Sequence, residues 1–228
     1  MRHSHPSRAV ILALLGVFLG ANLVGQDAPQ QDAQKKDETR ASKGVPPRAT
    51  PGDYQAHEQA GAITLAAEFT GHSVPTPEAV LSTEDYVVVE VALFGPADAR
   101  LTLSFDNFSL RINGKKMPTP AQPYGLVFPS LKDPEWEPPA SAESKSKTSF
   151  GGGGKNANDP PPAPVHMPIE LRRVMQERVQ KASLPEGERP LPEAGLIYFP
   201  YGGKTQGIHS IELIYSGAAG KATLTLHP

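Results

Sequence analysis

The sequence predicts an all-β fold, an antiparallel two-layer β-sandwich, on three observations. Apolar and polar residues alternate over short runs from Ala62 onward, and Gly, Pro and Asn punctuate those runs. Six or seven such runs occupy about 110 residues once a proline-rich middle is set aside, the count and spacing of two packed sheets.

In chain order, residues 1–25 come first and have the three parts of a secretory signal. Arg2 and Arg8 precede an apolar run from Ala9 to Ala21, and short residues end at Gly25. The run is about 13 residues, short of the roughly 20 that cross a bilayer as a permanent helix, so cleavage is expected; an uncleaved anchor is the alternative. Residues 26–56 are rich in Gln, Asp, Lys, Ala and Pro with no aromatic before Tyr54, and are expected as a disordered tether. Residues 57–228 hold the sandwich.

Within it, Ala62 to Phe69 places Ile63, Leu65, Ala67 and Phe69 on one face at period two. Tyr86 to Phe94 is apolar on both faces, which predicts a central strand. Leu101, Leu103 and Phe105 are followed by Phe108, Leu110 and Ile112, and the phase change at Asp106 and Asn107 calls for a turn or bulge. Asn113 and Gly114 then reverse the chain. The pattern resumes at Gly195 to Phe199, Ile208 to Tyr215 and Ala222 to Leu226.

Between these halves, residues 118–192 hold 15 of the 25 prolines, with the GGGG run at 151–154. They are expected as an insertion between two strands of one domain, with a flexible core over 137–165. Inside the insertion Pro168 to Leu184 reads as a helix, with Leu171, Val174, Met175 and Val179 sharing a stripe. That stripe either docks on the sandwich or is presented to a partner.

YVVVEVALFGP at 86–96, LTLSFDNFSLRINGKK at 101–116 and GLIYFPYGGKTQGIHSIELIY at 195–215 together resemble uncharacterised bacterial extracellular immunoglobulin-like domains. In those, a valine-rich strand precedes one of the form F-x-L-x-x-x-G-K, here Phe108, Leu110 and Lys115. The resemblance implies an immunoglobulin-like sandwich and an envelope or extracellular setting, periplasmic or secreted. It implies no catalytic residues, and the long insertion departs from the compact form.

Composition removes several function classes. The chain has no cysteine, which excludes disulfides, a thiolate nucleophile and Cys-type zinc sites. Its formal charge is −2, and removing Arg2 and Arg8 with the signal leaves 20 basic against 24 acidic residues, or −4, with no basic run of the kind that holds nucleic acid. GGGGK at 151–155 fails as a phosphate loop, because Ser149 and Asn156 stand where a Gly and a Ser or Thr are needed. His57, His72, His166, His209 and His227 show no paired metal-ligand spacing, so no metal or other cofactor is expected. Neither G-x-S-x-G nor H-E-x-x-H occurs.

The aromatics at the start of the insertion are the candidate binding residues. Tyr124, Phe128 and Trp136 could stack on a sugar or anchor a peptide, or pin the insertion to the sandwich. Glu135 and Glu137 flank Trp136 and would lie on one side of an extended chain, as a glycosidase pair requires, but two acids in a proline-rich loop read first as solvated surface. The sequon at Asn107 reads first as a structural turn. The expectation is therefore a non-enzymatic binding or assembly module that meets an envelope protein or a glycan and has no membrane span once its signal is removed. A carbohydrate-binding domain using Trp136 and its neighbours is the first alternative, and a hydrolase with an unrecognised site the second.

Overall fold

The valine-rich run forms the centre of the structure. A computed structural model describes residues 42–137 and 167–228, and in it Tyr86–Phe94 pairs on both sides. In chain order the strands are β1 (Ala56–Ala60), β2 (Ile63–Gly71), β3 (Ser73–Pro75), β4 (Val80–Thr83), β5 (Tyr86–Phe94), β6 (Arg100–Leu103), β7 (Phe108–Ile112), β8 (Thr119–Pro120) and β9 (Leu131–Lys132). Helix α1 (Ile169–Ala182) follows, then β10 (Gly187–Pro190), β11 (Glu193–Pro200), β12 (Ile211–Gly217) and β13 (Gly220–Leu226). The protein is all-β with few helices, and its strand pairs are antiparallel.

Two four-stranded sheets, ordered β1-β2-β5-β11 and β13-β12-β7-β8, carry most of the pairing. Alternation explains why they share one core. Val87, Val89, Val91 and Leu93 of β5 join Leu65 of β2 and Ile197 and Phe199 of β11 in an apolar cluster. Phe108 and Leu110 of β7, Leu213 and Tyr215 of β12 and Leu224 of β13 belong to the same cluster. The chain crosses between the sheets at one edge, where the Ala121 N–H donates to the Phe108 carbonyl at 3.1 Å and the Gln122 N–H to the Tyr198 carbonyl at 2.8 Å. At the opposite edge the Gln55 amide donates to the His227 carbonyl at 2.8 Å.

The phase change at Asp106 and Asn107 is a 3-10 turn over Phe105–Asn107, with the Ser104 hydroxyl accepting from the Asp106 N–H. The flanking runs belong to different sheets: β6 pairs with β10 in a two-stranded ribbon, and β7 pairs with β12. At the next reversal Asn113 and Gly114 both have positive φ, 54° and 64°, the backbone of a primed hairpin turn.

Residues 118–192 were expected as an insertion outside the sheets, and the described parts differ from that in detail. β8, β9 and β10 lie in this stretch, the first two only two residues long, and all three stand at sheet edges. An edge strand tolerates proline because its outward N–H has no partner to lose. Much of the flexible core expected at 137–165, with the GGGG run and His166, lies outside the described residues.

The outer face of the β1-β2-β5-β11 sheet is covered in two parts. Val88, Leu196 and Tyr198 pack with Met175, Val179 and Ala182 of α1 and with Val74 and Leu81 of the small β3-β4-β9 sheet. Beside them Ala66, Ala92 and Ala194 form a floor of short side chains under Tyr54, against which Val45 and Phe94 pack. Residues 42–55, assigned by composition to the tether, lie along this floor. The Val45 N–H donates to the Ala194 carbonyl at 3.0 Å, and the rings of Tyr54 and Phe94 meet edge to face at 6.1 Å. Arg48 holds the segment down: it pairs with Glu68, lies 3.4 Å from Glu90 and stands over the Tyr54 ring at 4.5 Å.

Candidate functional site

Three of the residues singled out in the sequence lie between β8 and the end of the first described segment, and the local chain path separates them. Two consecutive 3-10 turns, Tyr124–Leu126 and Phe128–Ser130, share the buried Val127 between them. Pro129 just inside the second turn has no N–H to leave unsatisfied, which favours the turn there. The same geometry brings the Tyr124 and Phe128 rings to 5.8 Å at 46°, and both pack against the cluster beneath α1.

Ser130 anchors this segment. Its hydroxyl donates to the Val127 carbonyl at 3.0 Å, so the buried Thr83 hydroxyl of β4, 2.6 Å away, is the donor in their mutual bond. Both hydroxyls are thereby satisfied inside an apolar layer, where an unmade bond would cost ~1–3 kcal/mol. Pairing of β9 with β4 at Ser82–Lys132 and Thr83–Leu131 completes the attachment.

Helix α1 forms the facing wall. Pro168 precedes its first turn, and Glu170 lies in that turn, where the helix dipole favours an acid. Met175 and Val179 of the expected stripe are buried and Leu171 partly so, but Val174 is 41% exposed and the fully buried Ala182 takes its place in the packing. The buried line 171, 175, 179, 182 follows one helical face, and Val174 lies off it. Helix α1 docks on the sheet and also presents apolar side chains outward, Val174 together with Ile169.

Between helix and turns is a groove of about 380 Å³. Phe128 and Leu131 line one side, Met167 and Met175 the other, with Arg172 and Gln176 supplying polar groups. Leu126 of the first 3-10 turn and Val174 of the helix are exposed and are not part of the groove lining. Arg172 makes no ion pair among the described residues, whereas Arg173 pairs with Glu170 at 3.4 Å and Lys181 with Glu177 at 2.8 Å. Lys181 holds the Glu177 carboxyl below its ordinary value, and Glu177 holds the Lys181 amine above its own. In the layer beneath, Tyr198 is fully enclosed; burial pushes its hydroxyl up, so it stays protonated and bonds Ser183 at 3.1 Å. The groove therefore offers a mostly apolar slot with one uncommitted guanidinium and no titrating acid.

Trp136 is not part of that pairing of rings. It is half-buried, and its backbone N–H closes a turn on the Asp133 carbonyl at 3.1 Å. Glu135 and Glu137 are exposed. Asn107 ends the 3-10 turn before β7. His57 and His227 are exposed on or beside edge strands, and His209 is exposed with its N–H bonded to Asn113 Oδ1 at 2.7 Å. Among the described residues no group of three or more acids and histidines is arranged to hold a metal, and no helix is long and apolar enough to cross a membrane.

Sequence reasoning missed the second wall's polar members and the whole Arg48 cluster. Arg172 and Gln176 carry no signal beyond their place on a helix, and Arg48 meets partners 20 and 42 residues away. No protein-family model, no curated protein and no solved structure matches the chain.

Proposed function

We propose that this protein is an exported, non-enzymatic binding module of the cell envelope with an immunoglobulin-like sandwich fold, and that it docks an apolar, acid-bearing segment of another envelope protein in the groove beside α1. One observation carries the reading. The groove lining includes Phe128, Leu131 and Met167, which are only partly buried, and Arg172 stands at it without an ion-pair partner among the described residues. An uncommitted guanidinium beside an apolar slot complements a carboxylate on an apolar chain, and such a groove is a common mode of segment recognition. Export is supported by Arg2, Arg8 and the apolar run that follows them. The sandwich is supported by two antiparallel sheets contributing to one cluster, and by the resemblance to bacterial extracellular domains.

The test is capture from envelope extract on the immobilised mature chain, with cross-linked peptides mapped on both partners. The expected partner contributes an acid-containing apolar peptide, and its retention falls about tenfold in Arg172→Glu and in Phe128→Ala, the loss of one charge-assisted or one anchoring contact. Trp136→Ala leaves retention unchanged. Retention that ignores both groove variants, or that Trp136→Ala alone abolishes, would overturn the proposal and favour the carbohydrate alternative at Trp136.

A further inference from the structure

A second cavity, lined by residues separate from those of the α1 groove, has the opposite chemistry. It is an open cleft of about 530 Å³, within the size range of sites for small molecules. Its floor comes from β4 and its end, through Ser82, Thr83 and Glu84, and Lys132 of β9 stands beside them. The facing wall is the loop Gly202 to Gln206 that leaves β11.

Local sequence explains the shape of that loop. The Tyr201 N–H donates to the Asp85 carbonyl at 2.8 Å, fixing its start, and a 3-10 turn over Thr205–Gly207 ends it. His72 ties the middle: its Nε2 lies 2.8 Å from the Gly203 carbonyl, which can only accept, so that nitrogen carries the proton. The His72 ring also leans on Tyr201 at 6.1 Å. Gly202 has no heavy atom within 4 Å of where a side chain would begin, so backbone there is open to approach. Among the described residues the backbone N–H groups of Gly202, Gly203 and Lys204 find no acceptor.

The charges around the cleft are unequal. Glu84 is already paired with Lys132. Lys204 is exposed and makes no ion pair among the described residues. One uncommitted ammonium, a run of open N–H groups and the hydroxyls of Ser82 and Thr205 remain to meet a solute, and the lining contains no aliphatic side chain larger than threonine's. A lipid tail or apolar peptide finds no purchase there. A bare dianion would meet Glu84 as well as Lys204, whereas hydroxyl groups can donate to that carboxylate while a single acid group takes the lysine.

From this arrangement we infer that the cleft between β4, β9 and the Gly202–Gln206 loop binds an acidic saccharide: a sugar carboxylate is held by Lys204 and the loop N–H groups, and sugar hydroxyls are held by Ser82, Thr205 and Glu84. The inference stands on residues that the α1 groove does not use, so either proposal can fail alone.

Titration of the mature protein with acidic disaccharides, followed by amide chemical shifts, tests it. The probes are a digalacturonate, a diglucuronate and a dimannuronate, the methyl ester of each, and inorganic phosphate. The expected result is saturable shifts at Ser82 and Gly202–Gln206 with at least one acid, about tenfold weaker binding of its ester, and a loss of about tenfold or more in Lys204→Ala. Lys221→Ala, at an exposed position of β13, keeps full affinity and controls for non-specific attraction. Thermal unfolding of Lys204→Ala at the wild-type temperature shows that the exposed substitution leaves the fold intact. Ester and acid binding alike, shifts unaffected by Lys204→Ala, no shifts with any acid, or phosphate binding more tightly than every saccharide would each overturn the inference, the last by leaving a simple anion site.

Discussion

Arg48 neutralises two carboxylates that strand register sets opposite each other, since Glu68 of β2 pairs directly with Glu90 of β5. Like charges facing across strands are destabilising, so this residue allows acids on a face otherwise floored by alanine. Burial raises the Glu90 carboxyl above its ordinary value, with Arg48 opposing the shift and Glu68 adding to it. A folded value above the unfolded one means that Glu90 favours the fold at low pH, and that this contribution is lost as pH rises through the folded value. Arg48→Met removes the opposing charge and moves the loss to higher pH. Urea unfolding should find the variant less stable by about 1–2 kcal/mol at neutral pH, discounted for partial exposure, with the gap narrowing as Glu90 protonates. Gly195 is the other residue with a sharp consequence: a side chain there would begin 2.3 Å from the Leu184 backbone, which cannot swing aside. Gly195→Ala should cost about 2–3 kcal/mol or abolish folding, read by the same unfolding curves. Neither role was legible in the sequence. Arg48 sits in a polar, proline-containing run, and Gly195 looks like an ordinary strand glycine until Leu184 is brought against it.

Among the elements, those with several alternating apolar residues were readable and those without were not. β2, β5, β7, β11, β12 and β13 fall on the runs marked by periodicity, with ends shifted by a few residues. β1 was missed because AHEQA exposes three successive polar side chains; pairing with β2, not an apolar face of its own, makes it a strand. β3, β4, β8, β9 and β10 have two to four residues each, too few for a period to show. Helix α1 was legible from its stripe, but choosing between Val174 and Ala182 needed the neighbouring sheet. That choice is testable: Met175→Ala should destabilise by about 2–4 kcal/mol as a buried truncation, whereas Val174→Ala should stay within about 0.5 kcal/mol. Of the candidate site, the aromatic content was visible in the sequence. The separation of Trp136 from Tyr124 and Phe128 was not, because it follows from two tight turns that composition does not order.

For the molecule as a whole, strands from either side of the proline-rich stretch depend on each other. β5 takes β11 as its partner over eight residue pairs, and β7 takes β12 over five. Those pairings join residues on either side of 138–166, so neither half can complete a sheet with what it contains. Export is tested separately, by N-terminal sequencing of protein recovered from the envelope: a start near Gln26 is expected, and an intact Met1 in the membrane fraction would sink cleavage. The most direct test of a single core is equilibrium urea unfolding of a chain in which Ser141 to Ala163 is replaced by a short Gly and Ser linker. Loop closure changes by only about 0.6 kcal/mol per doubling of length. Circular dichroism and fluorescence should therefore report one coincident transition near the wild-type midpoint. Two separate transitions, or a cooperative transition from residues 57–130 alone, would contradict it.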